Sequence, residues 1–179
     1  MNKEQLVHVL RAAADISGEK SFVIVGSQAV LLSLQRPDEG LTLSDEIDLY
    51  PAMAPEKSDA IDGAIGALSL FHDTYGYHAD GVSPETAVMP PDWMERASFQ
   101  YFGDLTAISP ELHDLCVSKC VAGRDKDAKF IHILLRDKHV SIDALTARIK
   151  KIDGQKHPIP TIVEWAKRRW LEVQDNTTP

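Results

Sequence analysis

One stretch, residues 21–50, limits what this chain can fold into more than any other part of the sequence. It reads SFVIVGSQAVLL, then a polar loop, then LTLSDEIDLY. The apolar run before Gly26 indicates a buried strand, and the pattern that begins at Ser27 indicates a helix. The second half alternates like a strand with two faces, and it places Glu46 and Asp48 on the same face, roughly 6–7 Å apart.

The glycine turn and the acidic strand are weak signals separately, but together they indicate chemistry on phosphates. Gly26 removes the Cβ where backbone must approach a ligand, and the first N–H groups of a helix favour anions. Two carboxylates on one strand face repel each other unless a cation lies between them, and Mg²⁺ takes one or two carboxylates plus substrate phosphates. An acidic pair alone is more often solvated surface. The order strand, turn, helix, acidic strand favours phosphoryl or nucleotidyl transfer.

Composition is that of an ordinary globular protein. The 179 residues are 44% hydrophobic and 26% charged, which suffices to bury a core. No apolar run is long enough to span a membrane and the first residues lack a signal-peptide pattern, so we expect a cytoplasmic protein without membrane association. Cys116 and Cys120 are expected to be buried on one helix face. His72 and His78 have no partner at ligand spacing, which predicts structural or surface roles.

Charge is divided unevenly along the chain. Residues 1–115 hold 6 Lys/Arg and 19 Asp/Glu, whereas residues 116–179 hold 13 and 8. The basic second part can meet a phosphate backbone or an acidic partner, although solvated helix faces explain the same pattern at least as well. The net charge of −8 does not by itself argue for nucleic acid.

Periodicity and turn residues divide the chain into an α/β part, residues 1–108, and a helical part, residues 109–179, which we expect to pack together in one compact unit. Strands are predicted at 21–25, 42–50, 75–79, 86–89, 99–102 and 105–108. Helices are predicted at 2–17, 27–35, 55–68, 110–121, 125–137, 141–152 and 160–174. Ser109 with Pro110 is read as the start signal of the first C-terminal helix, and residues 175–179 are expected to fray.

Two charged residues fall on apolar helix faces. At 100° per residue, Lys119 lies within the arc of Leu115, and Asp127 lies at the centre of the face that carries Phe130. Buried charges are costly unless they are paired or serve a site. One alternative is a buried Lys–Asp pair that fixes two helices. The other is a site in which Lys119 reaches a triphosphate, Asp127 orients it or acts as a base, and Arg124 adds a forked phosphate donor.

Two segments, VGSQA…DEIDLYP and HDLCVSKCVAGRDKD, resemble motifs of the minimal nucleotidyltransferase superfamily. Within it, the chain is most similar to proteins related to the AbiEii-type toxins of bacterial abortive-infection and toxin–antitoxin systems, in an uncharacterised bacterial branch. The resemblance covers roughly residues 1–137. It implies a nucleotidyltransferase fold of the α/β (α+β) class, in which helices flank a mixed β-sheet and a helical part follows at the C-terminus.

The resemblance also implies which residues of the first motif act. The phosphate-gripping turn of the family falls on Gly26 and Ser27, and its metal-binding acids fall on Glu46 and Asp48, which are also counted as catalytic. Glu46 stands where the family usually has Asp, and it is longer by one methylene. The third acid of the superfamily is not obvious, and Asp80 on a neighbouring predicted strand is a weak candidate.

The second motif and the reaction follow in the same way. The lysine and final aspartate of the later motif fall on Lys119 and Asp127 as catalytic residues, with Lys119 and Arg124 as nucleotide-binding residues. The implied activity is transfer of a nucleoside monophosphate from a nucleoside triphosphate, with Mg²⁺ or Mn²⁺, to an RNA 3′ end such as tRNA or to a protein hydroxyl. A toxin-related role, an antitoxin-like partner and a monomer or homodimer are expected. The alternative is a catalytically inactive member of the fold that binds a partner.

Overall fold

A five-stranded mixed sheet organises the first part of the chain in the computed structural model, which describes residues 1–175. The strands are β1 Ser21–Ile24, β2 Glu46–Pro51, β3 His78–Gly81, β4 Ser98–Phe102 and β5 Leu105–Ser109. Their order is β3-β2-β1-β5-β4. The pairs β1–β5 and β2–β3 are parallel, and the pairs β1–β2 and β4–β5 are antiparallel. This mixed sheet, its flanking helices and the helical C-terminal part confirm the predicted fold class.

The helices of the described residues follow the predicted plan with shifted ends. They are α1 Lys3–Ser17, α2 Val30–Ser33, α3 Ser58–Ile65, α4 Leu70–Tyr75, α5 Leu112–Ala122, α6 Asp125–Arg136, α7 Ile142–Ile149 and α8 Ile159–Asp175. Asn2 and Gln5 form a capping box at the start of α1, and Gly18 ends that helix at φ 72°. Within residues 1–175, no helix combines the length and apolar character that crossing a bilayer requires.

The chain divides into two compact units. The α/β unit comprises Met1–Ala87 and Ala97–Ser109, and the helical unit comprises Val88–Arg96 and the chain from Pro110 on. Segment 88–96 was predicted to lie in the α/β part. It lies in the helical unit, where the Arg96 guanidinium donates to both carboxylate oxygens of buried Asp114, at 2.9 and 3.1 Å.

Each unit has its own apolar core. In the α/β unit, α1 and α3 contact each other and the sheet, and α2 contacts β4 and β5. The helical pattern of residues 2–17 predicts a buried stripe of Leu6, Val9, Leu10, Ala13 and Ala14. The first four are fully buried, whereas Ala14 is only half-buried. In the helical unit, α5 contacts α6 and α7, and α8 contacts α6 and α7. Both cysteines are buried in α5, as predicted, and burial raises the pKa of each thiol.

The acidic strand is shorter than predicted. Residues 39–41 form a 3₁₀ turn that Asp38 caps by accepting a hydrogen bond from Gly40 N at 2.8 Å, so β2 begins only at Glu46. The two-faced strand predicted over 42–50 would place Leu43 on the same face as Leu49. That placement is wrong, because Leu43 is 82% exposed ahead of the strand while Leu49 is buried.

Other predicted elements between residues 55 and 112 also need correction. The helix predicted to Leu68 ends at Ile65, and Leu68 is exposed instead of lying on the buried side. An unpredicted helix, α4, replaces the start of the strand at 75–79, and a 3₁₀ turn at 84–86 with irregular chain after it replaces the strand at 86–89. Glu111 caps α5, whereas Ser109 ends β5. The fraying predicted for 175–179 falls, beyond residue 175, outside the described residues.

Candidate functional site

The turn after β1 brings the backbone of Gly26 against the side chain of Asp48. Gly26 has φ 68° and ψ −163°, a region that only glycine adopts readily. A Cβ added to Gly26 would lie 1.8 Å from Asp48 Oδ2 and 2.8 Å from its Cγ. The backbone N–H of Val25 donates to the carbonyl of Asp48 at 2.9 Å, which holds the end of β1 beside β2. Glycine is therefore required here for its conformation and for the space it leaves.

The helix predicted at 27–35 is a shorter structure. Ser27–Ala29 forms a 3₁₀ turn that continues into the four-residue helix α2. The dipole of so short a helix is small, so an anion at Gly26 and Ser27 would depend on the N–H groups of the turn itself. Buried Gln28 donates from Nε2 to the carbonyl of Ser44 at 2.8 Å. That bond ties the turn to the segment that leads into the acidic strand.

Parallel pairing of β2 with β3 brings further acidic residues to the same place. In the register, Glu46 is opposite His78 and Asp48 is opposite Asp80. Ligand atoms of Glu46, His78 and Asp80 lie within 4.8 Å of one another. Asp80, the weak candidate for a third acid, thus lies on the strand next to both predicted metal-binding acids. The metal-binding roles of Glu46 and Asp48 stay predictions.

Electrostatics at this edge of the sheet leave an excess of negative charge. Burial raises the pKa of Asp80 above its usual value. The charges of Glu46 and Asp62 add to the increase, while His78, with Nε2 3.2 Å from Asp80 Oδ1, opposes it. A cation bound among these acids would remove their mutual repulsion.

Two histidines that were predicted to be structural or surface residues lie beside these acids. The rings of His72 and His78 have centroids 4.4 Å apart, and His72 Nε2 lies 3.7 Å from Asp45 Oδ2. Asp45, His72 and His78 form a second group whose ligand atoms lie within 4.8 Å of one another. Spacing along the chain could not show this, because His72 lies in the unpredicted helix α4 and His78 is brought in by strand pairing.

The donor atoms at this edge fit a divalent cation. Carboxylate oxygens are the ligands of Mg²⁺ and Mn²⁺, and imidazole nitrogen is a ligand of Mn²⁺, Co²⁺ and Zn²⁺. Glu46 and Asp80 supply carboxylate oxygens and His78 supplies an imidazole nitrogen, with all three ligand atoms within 4.8 Å of one another. These three residues could therefore bind a divalent cation, and Asp48, which is opposite Asp80 on the neighbouring strand, contacts the Gly26 turn.

The predicted residues of the second motif come together within the helical unit. Lys119 Nζ lies 3.1 Å from Asp127 Oδ1, and Arg124 Nε donates to Asp127 Oδ2 at 2.7 Å. Lys119 is 7% exposed and Asp127 is fully buried, so the predicted inward orientation of both is confirmed. Burial alone would raise the pKa of Asp127, but Arg124 and Lys119 outweigh it and hold that pKa below its usual range.

This geometry contains the Lys–Asp pair that the helical periodicity left as one of two alternatives. The pair joins α5 to α6, and Lys119 Nζ also lies 5.1 Å from the centroid of the Phe130 ring. Asp127 additionally accepts a hydrogen bond from the backbone N–H of Arg124 at 3.3 Å. The three residues thus stabilise the start of α6, and their action on phosphates stays a prediction.

Residues 4–176 match the family model described as "Nucleotidyltransferase of unknown function (DUF6036)". No curated protein and no solved structure matches the chain. The family match confirms the predicted nucleotidyltransferase relationship. The narrower resemblance to AbiEii-type toxin-related proteins stays a prediction.

Proposed function

Because that match covers almost all of its length, the chain belongs to this nucleotidyltransferase family, and we propose that it transfers a nucleoside monophosphate from a nucleoside triphosphate to a hydroxyl. The acceptor oxygen forms a bond to the α-phosphorus, the bond from the α-phosphorus to the bridging oxygen breaks, and pyrophosphate leaves. The acceptor proton passes to a base. The observation that carries the proposal is the packing of the Asp48 carboxylate against the Gly26 turn, in register with Asp80.

The acidic edge of the sheet is proposed to hold the cofactor, Mg²⁺ or Mn²⁺. Glu46 and Asp48 are its predicted ligands, and Asp80 is added as the third acid because it is opposite Asp48 on β3. A cation bound there would neutralise charge on the triphosphate and on the departing pyrophosphate. The N–H groups of Gly26 and Ser27 would contact phosphate oxygens. Close approach is possible because Gly26 has no side chain.

Lys119, Arg124 and Asp127 are proposed to act as the resemblance implies. An ammonium has three N–H donors, so Lys119 can bind a phosphate oxygen while it keeps its bond to Asp127. Arg124 is more than half exposed and can present its outer nitrogens to a phosphate. Asp127, with its pKa held low, stays ionised and orients Lys119, or helps to deprotonate the acceptor.

The acceptor is proposed to be an RNA 3′ end, such as that of tRNA, or a hydroxyl of a protein. The basic residues of the helical unit would suit RNA, and they are Lys150, Lys151, Lys156, Lys167, Arg168 and Arg169. Several of them already face carboxylates. Lys151 lies 2.7 Å from Asp92, and Arg169 lies 2.6 Å from Glu172. RNA binding through this surface should therefore be weak and strongly salt-dependent.

A second candidate function is partner binding by a catalytically inactive member of the family. Leu68 and Leu70 favour it, since the two side chains are 89% and 84% exposed on either side of Ser69. Exposed apolar side chains in one segment are typical of interaction sites. An antitoxin-like protein or a second copy of the chain would be the partner, and a toxin-related role in the cytoplasm would fit either candidate.

Transfer of radiolabel from each α-³²P nucleoside triphosphate tests the proposal directly. Total RNA and total protein serve as acceptors, each with Mg²⁺ or Mn²⁺. The wild type should label one acceptor class, and Asp48→Asn should abolish labelling while the protein stays folded. Asp104→Asn is the matched control, because Asp104 is an exposed carboxylate of the same unit that pairs with Lys20. Undiminished labelling by Asp48→Asn would overturn the assignment of the site.

Thermal unfolding with nucleotide and metal separates the two candidate functions. A ligand at a hundredfold excess over its Kd stabilises the native state by about 2.7 kcal/mol, which raises Tm by roughly 5–10 °C in a chain of this size. A metal-dependent shift that Asp48→Asn abolishes would support the transferase. No shift with any of the four ribonucleoside triphosphates would favour the partner-binding protein.

A further inference from the structure

His78 is buried beside the acidic residues of β2 and β3, and one of its ring nitrogens faces them. Its side chain is almost fully buried, with Nε2 3.2 Å from Asp80 Oδ1. Its Nδ1 is buried and has no hydrogen-bond partner among the described residues. Since no described residue donates a hydrogen bond to Nδ1, no bond at that atom holds the imidazole proton on Nε2, and the lone pair of Nε2 can face a metal on the side of Asp80.

The neighbours of His78 have the separations that ligands of one ion have. Ligand atoms bound to one metal at about 2.0–2.2 Å lie no more than roughly 4.4 Å from one another. The ligand atoms of Glu46, His78 and Asp80 all lie within 4.8 Å, so adjustments of a few tenths of an ångström would suffice. Glu46 and Asp80 are half-buried, which leaves space for water or substrate as further ligands.

The second group, which contains Asp45 and His72, is less suitable. The backbone N–H of Leu68 donates to His72 Nδ1 at 3.2 Å. In a neutral imidazole, a nitrogen that accepts a hydrogen bond leaves the proton on the other nitrogen. His72 therefore presents a protonated Nε2 toward Asp45, and a protonated nitrogen has no lone pair for a metal. His72 could bind a metal there only if its bond to Leu68 were broken.

We propose that His78 is a ligand of the metal centre together with Glu46 and Asp80, and that the centre takes Mn²⁺, Co²⁺ or Zn²⁺ in preference to Mg²⁺. This inference rests on the proposed function for the position of the metal. Mg²⁺ requires near-ideal octahedral oxygen coordination, whereas imidazole is a favourable ligand for the transition metals. The longer side chain of Glu46, in place of the usual Asp, belongs to the same altered ligand set.

Nitrogen coordination can be measured on the wild-type protein without nucleotide. Electron spin-echo envelope modulation of the Mn²⁺-loaded protein should show coupling to one imidazole ¹⁴N. A spectrum with water and carboxylate ligands but without imidazole nitrogen would overturn the proposal. This measurement needs no variant, so it stays decisive even if substitution of buried His78 impairs folding.

Metal titrations of His78→Gln and His72→Gln distinguish the two groups. Because loss of a mere supporting partner of a metal ligand costs 10–100-fold in affinity, His78→Gln should weaken Mn²⁺ and Co²⁺ binding by at least about tenfold. His72→Gln, the matched control on the neighbouring ring, should leave both affinities unchanged. Equal losses in the two variants would assign the metal to the group of Asp45, His72 and His78 and overturn the proposed ligand set. No loss in His78→Gln would exclude that side chain as a ligand.

Competition with Mg²⁺ tests the metal preference. Wild-type protein should bind Mn²⁺ at least about tenfold more tightly than Mg²⁺, and His78→Gln should reduce that ratio. An equal ratio in the two proteins would refute the preference. These readouts do not involve transfer, so failure of the transfer assay with nitrogen-coordinated Mn²⁺ would overturn the proposed function and leave this inference standing.

Discussion

The buried carboxylates of the helical unit and the carboxylates at the acidic edge of the sheet have opposite electrostatic environments. In the helical unit, buried Asp114 accepts hydrogen bonds from Arg96 and Arg148, and buried Asp127 faces Lys119 and Arg124. In the α/β unit, burial and neighbouring acids raise the pKa of Asp80.

The contrast separates carboxylates that stabilise a fold from carboxylates that form a site. Removing a buried carboxylate that lies between two cations destabilises the native state, because the cations are left without their partner. A carboxylate beside other acids raises the free energy of the native state, because the like charges repel each other. Proteins retain such arrangements where function requires them. Four substitutions test this division.

The largest loss of stability is expected for Asp114→Ala. It removes the acceptor of three charged hydrogen bonds, of 2.6 to 3.1 Å, and leaves Arg96 and Arg148 without their shared partner. The free energy of unfolding should fall by about 3–5 kcal/mol, as for other broken buried pairs. Urea denaturation measures it, with Asp104→Ala as the exposed control. Similar midpoints for the two variants would refute a stabilising role for Asp114.

Asp127→Asn should lower the free energy of unfolding by about 1.5–3 kcal/mol at neutral pH, because hydrogen bonds to a charged group are replaced by hydrogen bonds to a neutral one. The pKa of Asp127 is lowered in the fold, so its contribution is complete above the ordinary Asp pKa of about 3.9 and is lost as pH falls below that value. The difference in the free energy of unfolding between wild type and Asp127→Asn should therefore decrease as the pH is lowered from about 5 toward the pH at which the protein unfolds. Urea denaturation at several pH values measures it. A difference that is constant with pH would contradict the pairing.

Gly26→Ala is expected to damage both the fold and the site. The backbone conformation alone should cost about 1–3 kcal/mol, and the new methyl group would displace the carboxylate of Asp48. Gly18→Ala is the matched control, because Gly18 also has positive φ but has no atom within 4 Å of an added Cβ. Calorimetry and Mn²⁺ titration should show lost metal binding only for Gly26→Ala. Metal binding by that variant at wild-type affinity would contradict the close approach.

The smallest change in stability is expected for Asp80→Asn, and it is the one substitution expected to stabilise the fold and not to weaken it. Removing a charge from the acidic edge should leave the free energy of unfolding unchanged or raise it by up to about 1 kcal/mol, reduced by solvent screening because Asp80 is partly exposed. Nucleotidyl transfer should be lost in the same variant. Thermal unfolding without metal is the measurement, and a clear destabilisation would place Asp80 among the structural carboxylates.

Local chemistry was sufficient to predict much of the fold. The helical pattern of residues 2–17, the apolar run of β1 and the helical period around Lys119 and Asp127 are properties of neighbouring residues, and the structure confirms them. Those two charged residues were recognisable because a charge on an apolar face needs a partner. Whether the partner was a side chain or a substrate could not be predicted, since periodicity does not give the distance between two helices.

The parts that could not be predicted depend on contacts between distant residues. The position of His78 beside Glu46 follows from strand pairing across more than thirty positions of sequence, which no local pattern encodes. The start of β2 was missed because the alternation of Leu41 and Leu43 imitates a strand, while the Asp38 cap and Gly40 favour a turn. Short helix α4 was missed because its six residues are too few for a clear period.

The interleaving of the two units along the chain has a consequence for synthesis and inheritance. Strand β5, which pairs with β1, follows segment 88–96 of the helical unit along the chain. On the ribosome, the sheet therefore cannot be completed until residue 109 has emerged, well after both acidic strands. In the gene, no single cut separates one unit from the other. A cut after residue 109 would leave segment 88–96, and with it Arg96, the partner of buried Asp114, on the side of the α/β unit, so recombination cannot exchange the whole helical unit as one contiguous segment.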